Sequence, residues 1–441
     1  MTDSRIVFAD CTLRDGEQAP GVFFTLEEKL AIAAMLDAAG VDLIDAGMPS
    51  VSKEERAALT ALVAQNLRAR IAATVRALRS DIDLAIECGV KEVFLFMPVS
   101  PQHLKHKFNI DLETAKTRIE DAVSYAVGKG LQVHFVAEDS VRADPRQLAQ
   151  VFDRVSELGA VSAIICDTVG VMTPQTMDRY VRTLREHMAR SLTLGIHCHN
   201  DYGLGTANTL AAVAAGCTLV TSTVNGLGER AGNAVFEEVV CALDDLYDAE
   251  VAIDKSMLTA LSQAVAHASG MYIVPTKPVV GHNVFRHESG VHVDGMLKDP
   301  STYESICPRP LGRHHEYVLG KHSGSGLIEV LLASRGIACS PEQTDRILER
   351  IKAVKISTNK APLRVMAARL DELWSRHLSF SEEDFWAIVY EETSRSRPRG
   401  RGILLACGTR QMAVTAVTAE PEPAAEPATA RAPSTRTTAT L

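Results

Sequence analysis

His197-Cys198-His199-Asn200-Asp201 closes one apolar, strand-like run, and Thr12-Leu13-Arg14-Asp15-Gly16-Glu17-Gln18 closes another. Side chains at i and i+2 on a strand leave the same face, so His197 and His199 present two imidazoles together. Arg14 and Asp15 set a guanidinium beside a carboxylate. Two imidazoles and a carboxylate can hold a divalent ion with positions left open for substrate, so the pattern points to metal-assisted chemistry. Asn233, just past a later strand, could add a neutral oxygen. The donor set suits Zn, Mn, Fe or Co and takes Mg less naturally. Each residue also has a plainer reading: a lone histidine on an apolar run is more often a satisfied core residue, and Arg14 could be an ordinary ion-pair partner.

The elements that must position these groups argue against the plainer readings. Strand candidates recur at Ile6–Thr12, Val41–Ala46, Arg70–Val75, Glu92–Met97, Gln132–Ala137, Ser162–Asp167, Thr193–His199 and Leu219–Val224. Most are nearly continuous in apolar residues, as parallel strands covered on both faces should be. Helical patterns lie between them. Thr25-Leu26-Glu27-Glu28 reads as a capping box, and Asp144-Pro145 and Thr173-Pro174 read as helix starts with proline at the first helical position. This α/β alternation predicts a (β/α)8 TIM barrel over 1–250, followed by a smaller, mainly helical region. An open doubly wound sheet is the alternative, but Arg14-Asp15-Gly16-Glu17-Gln18 is not the glycine-rich turn such a sheet would place after its first strand. In the barrel reading Arg14, Asp15, Glu138, Thr168, His197, His199 and the loop before Asn233 all fall at C-terminal strand ends, where barrel active sites are built.

Glu138 is a candidate for proton transfer or ligand orientation, the plainer reading being a structural role. His292, in His287-Glu288-Ser289-Gly290-Val291-His292-Val293-Asp294, is a candidate acid/base whose tautomer Asp294 could set. Gly320-Lys321-His322-Ser323-Gly324 lacks the spacing of a nucleotide-hydrolysing phosphate loop.

A net charge of −9 argues against nonspecific nucleic-acid binding. The 9 cysteines form no Cys-x-x-Cys pair, which predicts reduced thiols in a cytosolic protein. No apolar stretch approaches the roughly 20 residues of a membrane helix, and no signal-like segment opens the chain; the expectation is a cytoplasmic protein without membrane contact. Residues 251–395 read as linker and C-terminal subdomains completing the site, and 396–441 as a basic linker and disordered tail.

Five strings together resemble the 2-isopropylmalate, homocitrate and citramalate synthase family: Asp10–Gln18, Gly195–Gly205, Asn225–Asn233, His287–Gly295 and Leu319–Gly324. The later ones look most like bacterial homocitrate synthases. The resemblance implies a metal-dependent Claisen condensation of acetyl-CoA with a 2-oxo acid, followed by thioester hydrolysis and CoA release. It assigns the metal (Mn, Mg, Zn or Co) to Asp15, His197 and His199, with Asn233 as ligand or near-ligand. Arg14 would stabilise the alkoxide, Glu138 and Thr168 would lie near substrate, and His292 would act as acid/base. A homodimer is expected, because in the family the C-terminal subdomain often reaches the neighbouring barrel. The chain departs from the pattern at Asp45, where the family generally has Glu. Arg76, His103, Lys105 and His106 could favour a second anionic group, as in 2-oxoglutarate or in phosphonopyruvate and phosphinopyruvate, used by relatives that make phosphonomethylmalate and phosphinomethylmalate in antibiotic pathways. A related aldolase/lyase branch is the competing class, but it lacks the His287–Asp294 string.

Overall fold

The computed structural model describes residues 5–377, 382–393, 405–408 and 411–414. Eight parallel strands close on themselves in sequence order: Val7–Asp10 (β1), Leu43–Asp45 (β2), Arg70–Arg76 (β3), Glu92–Pro98 (β4), Gln132–Glu138 (β5), Ser162–Asp167 (β6), Thr193–Cys198 (β7) and Leu219–Ser222 (β8). β1 pairs with both β2 and β8, which seals the barrel. Every expected strand is present, so the closed barrel holds and the open-sheet alternative does not. Thr25 caps helix Leu26–Ala39 in a full capping box with Glu28. Pro145 and Pro174 open their helices at Asp144 and Thr173 caps.

The barrel wall sorts its side chains by alternation. Phe8, Ile44, Ala73, Leu95, Phe135, Ile165, Ile196 and Val220 point outward into the main core against the helices. Ala9, Leu43, Ala72, Phe94, Ile164, Cys166 and Leu219 form a second, inner cluster. That plug fills the barrel interior, so polar side chains gather above it at the C-terminal strand ends.

By contacts the chain divides into two compact units, Met1–Ala367 and Ala368–Leu441. In the first, helix Leu258–Ser269 adds buried Leu258, Leu261 and Val265 to the main core. Beyond it, two short strands, Arg286–His287 and Glu316–Tyr317, pair in parallel, and helices Gly290–Lys298, Ser325–Ala333 and Pro341–Ile356 follow. The second unit contains helix Glu382–Thr393 and an antiparallel pair, Leu405–Gly408 with Gln411–Val414. That pair falls where a linker and disordered tail were expected; the remainder of that expectation, over 396–441, lies outside the described residues. No helix among the described residues is long and apolar enough to cross a membrane, and Cys11, Cys88, Cys166, Cys198, Cys217, Cys241, Cys307 and Cys339 are unpaired.

Candidate metal centre and active site

Asp15, His197 and His199 converge at the barrel mouth, all buried, with one ligand atom from each lying within 4.8 Å of the others. His197 Nε2 lies 3.3 Å from Asp15 Oδ2 and 3.4 Å from His199 Nε2. The tautomer of His197 follows from its partner. Thr221 Oγ1 gives its only proton to the Ile196 carbonyl at 2.9 Å, and so must accept from His197 Nδ1 at 2.9 Å. Nδ1 is thus a donor, and Nε2 faces a carboxylate and a second imidazole. Burial, reinforced by His197, pushes His199 down to about 4, so His199 is neutral near pH 7. Burial opposes ionisation of Asp15, but Arg14 and the two histidines hold it well below the usual carboxylate range. Asp15 Oδ1 and Asn233 Oδ1 are buried with no hydrogen-bond partner. Lone pairs converging with two orphaned oxygens beside them are what a divalent cation needs, and these residues fit one.

Local backbone explains how Asn233 comes so close. His199 and Asn233 face each other across an isolated antiparallel bridge, and Asn233 Nδ2 donates to the Leu227 carbonyl at 3.0 Å. Gly228 (φ 154°) allows this approach: a Cβ there would sit 2.3 Å from Asn233 Nδ2 and 3.4 Å from Asp15 Oδ1.

Arg14 is clamped between two carboxylates. Its Nε donates to Asp45 Oδ2 at 2.7 Å and its Nη1 to Asp15 Oδ2 at 2.9 Å. Thr74 Oγ1 also donates to Asp45 Oδ2, at 2.8 Å. Burial raises Asp45, while Arg14 opposes the shift. Asp45 thus anchors Arg14 beside Asp15.

A cavity of about 340 Å³ opens here, lined by Arg14, Asp15, Asp45, Glu138, Thr168, His197 and His199 among others. Glu138 Oε1 and Oε2 accept from Lys107 Nζ at 2.8 and 3.0 Å. Thr168 Oγ1 accepts from the Asp139 amide at 2.8 Å.

Six candidates, Arg76, His103, Lys105, His106, His292 and Asp294, lie outside the cavity lining. Arg76 is taken up by a two-pronged bond to Asp81, at 2.7 and 2.9 Å, and does not line the cavity. His292 is exposed on helix Gly290–Lys298, where its ring lies tilted against Tyr303 with centroids 4.2 Å apart. Asp294 pairs with Lys298 at 2.6 Å rather than with His292.

Lys107, Thr74, Thr221 and Arg230, which the sequence reading did not single out, all line the cavity. Arg230 donates to Asp201 at 2.7 and 2.9 Å and to the Thr168 carbonyl at 2.7 Å. Its place in Asn225–Asn233 was a usable signal; Thr74 and Thr221 have no signature apart from lying on strands.

Comparison with known proteins places this barrel in a class. Residues 5–265 match the HMGL-like family model, and residues 279–359 match the homocitrate synthase post-HMGL domain-like model. Homocitrate synthase AksA of Methanopyrus kandleri is 44% identical over 373 residues, covering 85% of this chain and 92% of that protein. Homocitrate synthase 1 of Nostoc is 42% identical, covering 81% of this chain and 94% of its own length. (R)-citramalate synthase CimA of Methanocaldococcus jannaschii is 44% identical, covering 78% and 70%. The solved hydroxymethylglutaryl-CoA lyase of Pseudomonas aeruginosa shares the fold, with a TM-score of 0.55 at 24% identity over 61% of this chain and 94% of that one.

The chain belongs to the HMGL-like family, in its homocitrate, citramalate and isopropylmalate synthase branch. It is an enzyme of the condensing, acyltransferase type.

Proposed function

We propose that the chain condenses acetyl-CoA with a 2-oxo acid at the barrel mouth and releases CoA. The observation that carries this reading is the convergence of Asp15, His197 and His199 beside the clamped Arg14. A divalent ion held by those three residues, with Asn233 adjacent, would supply Lewis acidity to a chelated 2-oxo acid. Arg14 lines the same cavity and stabilises oxyanion charge as it develops. Glu138, which lines the same cavity, would move the acetyl-group proton.

A second anionic group on the substrate is supported by Arg230 in the lining, which takes the place proposed for Arg76. Such a substrate is 2-oxoglutarate, giving homocitrate, or phosphonopyruvate or phosphinopyruvate, giving the corresponding 2-methylmalate derivative. Phe94, Phe96, Val136 and Ile164 in the same lining favour a second reading, a branched apolar 2-oxo acid as in 2-isopropylmalate synthesis.

A homodimer is part of the proposal. His292 lies outside its own chain's cavity, so an acid/base role for it needs a second copy. A thiol-reagent assay of CoA release across 2-oxo acids, after chelation and re-addition of Mn, Mg, Zn or Co, tests the reading. Metal-restored release with a dianionic acid is the expected result. No release with any acid overturns the synthase reading, and preference for a branched apolar acid overturns the anionic-pocket part.

A further inference from the structure

Glu138 does not stand in the cavity by itself. The chain between β4 and the next long helix makes a single π-helical turn, Leu104–Phe108, closed by Asn109 in the left-handed region at φ 52°. Such turns cost hydrogen-bond geometry and recur where a side chain must be aimed. This one aims Lys107, whose ammonium meets both Glu138 oxygens at 2.8 and 3.0 Å. His103 Nδ1, from the preceding turn, lies 3.4 Å from Glu138 Oε1.

The platform under this pair is bolted down at the next residue. Asp139 is fully buried and takes φ 60°, a backbone state costly for a side chain with a Cβ. It persists because its bonds over-determine it. Its carboxylate accepts from Ser100 Oγ and from Arg142 at 2.6 to 3.0 Å, and its amide donates to Thr168 Oγ1 at 2.8 Å. Ser100 also caps the turn that leads to Lys107, accepting from the His103 amide at 3.2 Å. One hydroxyl thus ties the segment carrying Lys107 to the backbone carrying Glu138.

We infer that Lys107 is the positioning residue for Glu138, mounted through the Ser100–Asp139 bond so that the carboxylate is held across the mouth from the metal ligands. This rests on the synthase reading, in which Glu138 moves a proton; Lys107 acts through Glu138 and does not itself bind substrate. Lys107→Met lowers kcat about 10- to 100-fold, the scale of a catalytic group displaced by about an ångström, while KM for both substrates stays within twofold. Lys107→Arg restores most of the rate. In a Glu138→Gln background the Lys107→Met change costs nothing further, because the group it positions is already gone. A rise in KM at steady kcat, or an undiminished cost in the Glu138→Gln background, overturns the inference in favour of direct substrate binding. Crystals of Lys107→Met read the positional claim without turnover: the Glu138 carboxylate leaves its place while Ser100 and Asp139 keep theirs. An unmoved Glu138 refutes the inference whatever reaction the wild type performs, whereas failure of the wild type to release CoA refutes only the synthase reading.

Discussion

Thr221→Val tests whether the structure assigns the histidine chemistry correctly. Valine keeps the shape of threonine and removes only the hydroxyl, so the strand and barrel packing stay. Two bonds go: the donation to Ile196 and the acceptance from His197 Nδ1, each at 2.9 Å. Leaving the buried Nδ1–H without an acceptor costs about 1–3 kcal/mol. Rotation of the ring or a change of tautomer avoids that cost, and either one takes the Nε2 lone pair away from Asp15 and His199. Loss of an outer partner of a metal-bound histidine typically weakens binding about 10- to 100-fold, or about 1.4–2.7 kcal/mol. Competition titration of Zn or Co against a chromophoric chelator measures it directly. The expected result is a 10- to 100-fold weaker dissociation constant in Thr221→Val, recovered in Thr221→Ser. Affinity within twofold of the wild type in Thr221→Val would refute the tautomer and with it the role of His197 as an Nε2 ligand.

Removing a ligand outright is the harsher companion test: His199→Ala should lose stoichiometric metal by elemental analysis along with metal-dependent turnover, and undiminished turnover would remove the ligand assignment. Stability should also depend on pH through Asp10. Burial lifts its carboxyl from the ordinary 3.8 to about 7, against the bonds from Thr12. Between those values the folded protein keeps a proton that the unfolded chain releases. This contribution to stability is full below about pH 4 and is lost as pH rises through 7, at no more than about 1.4 kcal/mol per pH unit. Asp10→Asn should therefore gain on the wild type by up to about 2–3 kcal/mol between pH 5 and pH 7 in urea unfolding; a pH-independent difference would show that Asp10 is ionised in the fold.

Much of the fold was legible because a barrel strand covered on both faces must be apolar nearly throughout, and helix starts carry caps such as Thr25 and Asp144. The boundaries were less so: His199 was expected on β7, yet the strand ends at Cys198 and His199 bridges to Asn233 instead. Arg76 looked like a free cation at a strand end because nothing in its own strand shows that Asp81, in the following helix, will take both its donors. Asp294 likewise found Lys298 one helical turn on. Lys107 went unread because its aim depends on a π-helical turn, and periodicity does not reveal one.

The chain's residue types and order, by themselves, determined eight strand–helix repeats, polar residues at the strand ends, and an imidazole pair with the chemistry to bind a metal. These follow from local rules, alternation and capping, that act within a few residues. Only the tertiary structure decided which polar groups meet. Closure of β1 onto β8 brings the Asp15 loop to Asn233, and the β6–β7–β8 neighbourhood brings Thr221 under His197. Those distances depend on strand register and on where buried charges find partners. A linear pattern carries neither, because desolvation and pairing are settled among residues far apart in the chain.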